Sequence, residues 1–201
     1  MVAAICLLCT GGGINNSAAE VVLDGTLKGV RPGALPGPDF TIKATDGKTV
    51  GANLFHSFSL FNIDSNENST FEGGSGIRNV IGRVTGPRLS RINGTLGVEH
   101  GADLWFINPH GLMFGPKAKL DVEGSVHIGT ADYLTLGHGG RFDAENPGSS
   151  RFTSEPPEAF GFLAYASSSP HGAIDIVDSK LDVPADQTLS VVGRNIKIRG
   201  A

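Results

Sequence analysis

A chain of 201 residues is long enough to bury a core within one domain, and its formal net charge of −4 leaves no basic footprint for nucleic acid. Its 29 glycines are about twice the usual share, and its 18% charged residues fall below the norm of roughly 25%. A hydrophobic content of 39% argues against a disordered chain, and Val, Ile, Thr and Phe set between frequent turn residues point to an all-β fold of short strands.

The first 19 residues stand apart. The apolar run "VAAICLLC" is too short to span a bilayer as a helix. Ser17 and Ala19 supply the small residues at the −3 and −1 positions of a signal-peptidase cut after Ala19. A basic n-region is missing, since no Lys or Arg precedes Lys28. Three readings follow: an atypical signal peptide, a true start elsewhere, or a buried first strand. Cys6 and Cys9 both fall here, without the small preceding residue of a lipoprotein cut or the second ligand pair of a zinc site. If the signal is removed, the mature chain has no cysteine and can cross an oxidising compartment without a disulfide locking it. No later segment is apolar enough to span a membrane.

From Val21 onward the pattern is strand, turn, strand. "VVLDG" is a short strand, and "RPGALPGPDF" is a loop. In "GANLFHSFSLFNI", alternation places Leu54, His56, Phe58 and Leu60 on one face and Phe55, Ser57, Ser59 and Phe61 on the other. Large apolar groups on both sides predict a strand covered on both faces. Then "GTLGV", "DLWFI", "GLMF", "AKLDV" and "SVHI" follow at roughly 8- to 10-residue intervals or closer, each punctuated by Gly, Pro or Asp. The tetrapeptide KLDV occurs at Lys119–Val122 and again at Lys180–Val183, each followed by Ser-Val, at Ser125-Val126 and Ser190-Val191. Short repeated strands without a helical period suggest coils stacked as a β-solenoid. The polar segment from Gly139 to Pro157 interrupts the beat and reads as an excursion from the body. After the strand-like "NIKIRG" nothing resembles a cap, so the expectation is the front of a longer β-helix.

Asn108-Pro109-His110-Gly111 breaks two apolar runs. Asn at the first position makes an Asx-turn, Pro at the second pre-sets φ, and Gly closes the turn, which predicts a corner between two rungs. Trp105, Phe106, Leu112, Met113 and Phe114 would pack around it as a folding nucleus.

The sequence carries little that is catalytic. Asp121 and Glu123 are spaced to point outward from a strand, Asp175 and Asp178 have no visible partners, and solvated strand faces account for both pairs. The six histidines, at 56, 100, 110, 127, 138 and 171, lack ligand spacing. No nucleophile elbow, Ser-His-Asp order or phosphate loop occurs, so no enzyme, cofactor or metal site is expected.

Several ordered blocks, "GANLFHSFSLFNI", "TFEGGSGIRNVIGRVTG", "INGTLG", "GADLWFINPHGLMFGPKAKLDVEGSV", "SEPPEAFGFLA" and "LDVPADQTLSVVG", resemble the haemagglutination-activity domain of filamentous haemagglutinin-like proteins. This is the amino-terminal secretion domain of two-partner secretion exoproteins, here most like those of cyanobacteria, and the likeness covers nearly all of residues 20–201. The resemblance implies a right-handed parallel β-helix with an amino-terminal β cap and extra-helical β elements. It also implies recognition by a cognate outer-membrane β-barrel transporter with periplasmic POTRA domains, and export to the cell surface or medium. The family's Asn-Pro-Asn-Gly motif falls on Asn108, Pro109, His110 and Gly111, with His replacing the second Asn. A second family motif, Asn-Pro-Asn-Leu, has no counterpart. Two alternatives stand beside the secretion domain. One is a surface adhesin module binding carbohydrate or host protein, a property more natural to a downstream region; the other is a truncated remnant.

Overall fold

The structure, a computed structural model, describes residues 20–164 and 171–200. The signal-peptide reading of residues 1–19, with both cysteines, lies outside the described residues. What is described is almost wholly β, with two single-turn 3-10 segments, and no helix in it is long and apolar enough to cross a membrane.

The body is a stack of parallel coils, each turning through three faces. The first face holds the parallel strands Asn53–Asn62, Asn79–Val84, Asp103–Ile107, Val126–Gly129 and Leu189–Val192. The second holds Ser90–Ile92, Leu112–Phe114, Ile174–Val177 and Ile196–Arg199; the third holds Asp39–Ile42, Asn68–Phe71, Thr95–Val98 and Lys119–Val122. Leu54, Val80, Leu104 and Val126 stack in register, so successive coils take 26, 24 and 22 residues. Three short strands per coil account for the beat in the sequence. Antiparallel strands Glu20–Leu23 and Lys48–Val50 pair with Asn53–Asn62, and Gly33–Ala34 pairs with the former. They form the amino-terminal β cap and protect the sheet edge there.

Two apolar layers result. Inward positions fill the solenoid with Phe40, Phe58, Phe61, Phe71, Phe106 and Phe114. Phe61 meets Phe106 at 4.8 Å and Phe58 at 5.0 Å between ring centroids. Each such fully buried ring contributes roughly 1.5–3 kcal/mol. The strict alternation expected along Asn53–Asn62 does not hold to its end. Val22 pairs with Leu60 but Leu23 with Phe58, so a bulge at Ser59 absorbs one residue and flips the parity. Phe58 and Phe61 therefore share the interior, while Leu60 is only half-buried.

The second layer lies outside the first face. The excursion is a three-stranded antiparallel sheet of Tyr133–Leu136, Gly140–Asp143 and Pro157–Gly161, starting earlier than its polar composition suggests. It lays Leu134, Leu136 and Phe142 over Phe55, Ile81 and Ile107, with Phe55 packed 5.1 Å from Phe142 and 5.0 Å from Phe152. This covering is what buries both faces of the first-face strands.

The two KLDV copies are not equivalent. Lys119–Val122 is a paired strand, whereas residues 180–183 form no strand, though Leu181 and Val183 still pack against the core. Six residues separate the core positions Phe114 and Leu120, but only five separate Ile176 and Leu181, so the shorter corner breaks the phase. Stacking the copies in register would also set Lys on Lys and Asp on Asp. The Ser-Val pairs are likewise offset, because Val126 pairs with Leu189.

Candidate functional site

Asn108, Pro109, His110 and Gly111 form the corner between the strands Asp103–Ile107 and Leu112–Phe114. The Gly111 N–H donates to the Asn108 carbonyl at 3.1 Å, closing the turn, and the His110 N–H donates to Asn108 Oδ1 at 2.9 Å, the expected Asx contact. Gly111 has φ +121°, a region L side chains rarely adopt.

The corner is stitched to the coils on both sides. Asn108 Nδ2 donates to the Arg88 carbonyl at 3.0 Å and to Ser90 Oγ at 2.9 Å, both from the preceding coil. The Asn108 N–H donates to the Gly129 carbonyl, the Gly172 N–H to the Pro109 carbonyl, and the Leu112 N–H to the Ala173 carbonyl. Gly172 lies so close that a Cβ there would overlap the backbone of His110. Asn108 has no accessible surface and Pro109 is buried, so in the folded domain the motif's first half is a fastening with no free polar group. His110 is partly exposed, while its Nδ1 is buried without a partner among the described residues.

The flanking apolar residues divide between the two layers. Phe106, Leu112 and Phe114 enter the solenoid core as expected. Trp105 points the other way, stacking on His127 at 3.9 Å with Phe160 at 5.7 Å, and Met113 is half-buried on the outside. Burial lowers the pKa of His127, opposed by the Asp103 charge.

Two buried polar clusters were not anticipated from the sequence. Arg83 has no accessible surface and joins three distant segments. Its Nε donates to Ser57 Oγ at 2.7 Å, one terminal nitrogen to Thr26 Oγ1 at 2.9 Å, and the other to the Asp143 carbonyl at 2.5 Å and Ser150 Oγ at 2.7 Å. The guanidinium also lies 4.2 Å over the Phe142 ring. Burial pushes its pKa down to about 10, against the charges of Asp24 and Asp143, so it stays protonated at neutral pH. The second cluster pins the far end of the excursion: His171 Nε2 lies 2.8 Å from Asp132 Oδ1, and the Leu163 N–H donates to Asp132 Oδ2 at 2.6 Å. A basic residue within the apolar "NVIGRV" was the one available signal for Arg83, and nothing local marked its partners.

Asp121 and Glu123 are exposed, as their spacing suggested, and Asp175 carries a long ion pair to Arg199 at 3.8 Å. Among the described residues no three His, Cys, Asp or Glu side chains gather in a way that could hold a metal ion. In comparisons with known proteins, residues 19–201 match the sequence model of the family described as the TPS secretion domain. No curated protein matches the chain.

Proposed function

Because the chain belongs to the TPS secretion domain family, that of the amino-terminal domains of two-partner secretion exoproteins, we propose that it directs export through a cognate outer-membrane transporter and nucleates β-solenoid folding as it emerges. The family is a class of secretion domains rather than of enzymes, and its exoproteins pass through the outer membrane to the surface or medium. In this reading residues 1–19 act as the signal peptide and residues 20–201 as the secretion domain.

The observation that carries the reading, beside the family match, is the state of the Asn108 corner. Asn108 and Pro109 are sealed between coils, so a transporter that reads them does so before the domain closes. Once outside, the same residues lock one rung to the next. Recognition and folding then use the same tetrapeptide at successive times, with an extended segment pairing along a strand edge of the transporter's periplasmic POTRA domains.

The test is a graft of residues 20–201 behind a signal peptide onto an inert reporter, assayed outside the cell with and without the cognate barrel. Release only with the barrel is the expected result. Equal release without it, or none in either case, overturns the reading.

A further inference from the structure

A small pocket opens on the second face, where that face begins. Ser90–Ile92 is its edge strand, and the coil beneath contributes only one bridge, Ile63 to Ile92, before the chain turns outward at Asp64. The missing rung leaves an open cavity of about 230 Å³ whose lining includes Met113 and Pro116. Met113 sits in register with Arg91 and, like it, points outward, so a thioether and a guanidinium stand side by side on the pocket surface.

The polar lining is pre-organised and unspent. Asn62 is 7% exposed, and its Oδ1 is fastened by the Arg91 N–H at 2.9 Å. That contact fixes the amide, whose Nδ2 has no partner among the described residues and borders the pocket. Asn93, one coil on, repeats the arrangement: its Oδ1 accepts the Lys117 N–H at 3.1 Å, leaving Nδ2 without a partner among the described residues. A Cβ on Gly115 would overlap Asn93 Oδ1, so the glycine makes room for this side chain. Asp64 is held by the Ser65 N–H on Oδ1 at 2.7 Å, and its Oδ2 makes no contact among the described residues. The Arg91 guanidinium has no ion pair among the described residues. The Asn62 N–H₂ group is open to the pocket, where a ligand acceptor can take the place of water on it.

We propose that this pocket binds a single neutral pyranose unit. Its three donor groups and one carboxylate acceptor match a ring whose hydroxyls both accept and donate, and opposite charges on Arg91 and Asp64 leave no net field for an ion. Met113 and Pro116 suit the C–H face of such a ring. The volume falls below the roughly 300–1,000 Å³ of drug-sized sites, which limits the occupant to one ring. The site is separate from the Asn108 corner, and its occupancy does not depend on export.

The experiment is saturation-transfer NMR on the full chain with methyl α-D-mannopyranoside, methyl β-D-glucopyranoside, methyl β-D-galactopyranoside and methyl β-D-glucuronide. Each is used at about 10 mM, since millimolar binding corresponds to about −4 kcal/mol. At least one neutral glycoside should bind with a millimolar Kd, and Asp64→Asn and Arg91→Gln should each weaken it about tenfold. Both residues are exposed, and the isosteric amide introduced by Asp64→Asn can keep the Ser65 contact through its oxygen, so neither change disturbs the core. Silence from all three neutral probes overturns the proposal. So does binding unchanged in both variants, which puts the ligand elsewhere, or binding of the glucuronide alone, which makes this an anion site.

Discussion

Replacing Asn108 by Ala removes three hydrogen bonds at once: two donated by Nδ2, to the Arg88 carbonyl at 3.0 Å and Ser90 Oγ at 2.9 Å, and one accepted by Oδ1 from the His110 N–H at 2.9 Å. At about 1 kcal/mol net for each, the direct loss is about 3 kcal/mol. Ser90 is fully buried, and leaving its hydroxyl short of a partner adds a further part of the roughly 1–3 kcal/mol orphan cost. The expected total, about 3–4 kcal/mol, is a large share of the roughly 5–15 kcal/mol typical of a folded domain. Urea unfolding of the full chain should show the midpoint falling with the slope unchanged. Pro109→Ala is the milder comparison: it removes no side-chain hydrogen bond, and the lost part of its buried ring together with the unfolded-chain entropy should cost about 1–2 kcal/mol. An Asn108→Ala protein within about 0.5 kcal/mol of the parent would refute the corner argument. Combined with impaired export, that result would assign the motif to transporter contact alone.

Arg83→Met should cost about 3 kcal/mol or more, because Asp143 and half-buried Asp24 lose a compensating charge in a buried site; a parent-like melting temperature would show the cluster to be neutral packing. His56 is buried with a pKa lowered to about 4, through desolvation first and against a contact to the Asp46 carbonyl. Since the unfolded chain binds the proton more readily, this group's contribution is intact above pH 6.5 and is lost as pH falls to about 4, reaching about 3 kcal/mol. His56→Phe should flatten the stability–pH curve across that window, and matching slopes in parent and variant would contradict it. Gly172→Ala places a Cβ against the His110 backbone and should destabilise the corner by about 1–3 kcal/mol, read by thermal melting; an unchanged midpoint would mean the coils can part freely there.

The local grammar of the chain was legible because it is local. Strand positions from Thr95 to Gly129 follow from period-2 alternation and turn residues. The Asn108 turn follows from what Asn, Pro and Gly do within four residues, and the Asx contact and closing hydrogen bond are where those side chains put them. The excursion was marked by its composition, although the apolar underside formed by Leu134, Leu136 and Phe142 was not.

Tertiary structure decided everything that depends on which coil lies over which. The bulge at Ser59 moves Phe61 into the interior because pairing with Glu20–Leu23 shifts there, a contact some 37 residues distant in sequence. Trp105 faces outward because its strand has a second core behind it, built by residues that follow much later. Identical KLDV segments part ways because one corner is a residue shorter. Arg83 is buried because Thr26, Ser57, Asp143 and Ser150 converge on it from three separate stretches of chain. Alternation and turn chemistry act between neighbours, so sequence alone determined the rungs and their corners. Burial, charge compensation and register act between segments brought together only by the stacking of coils, and so only the folded chain could settle them.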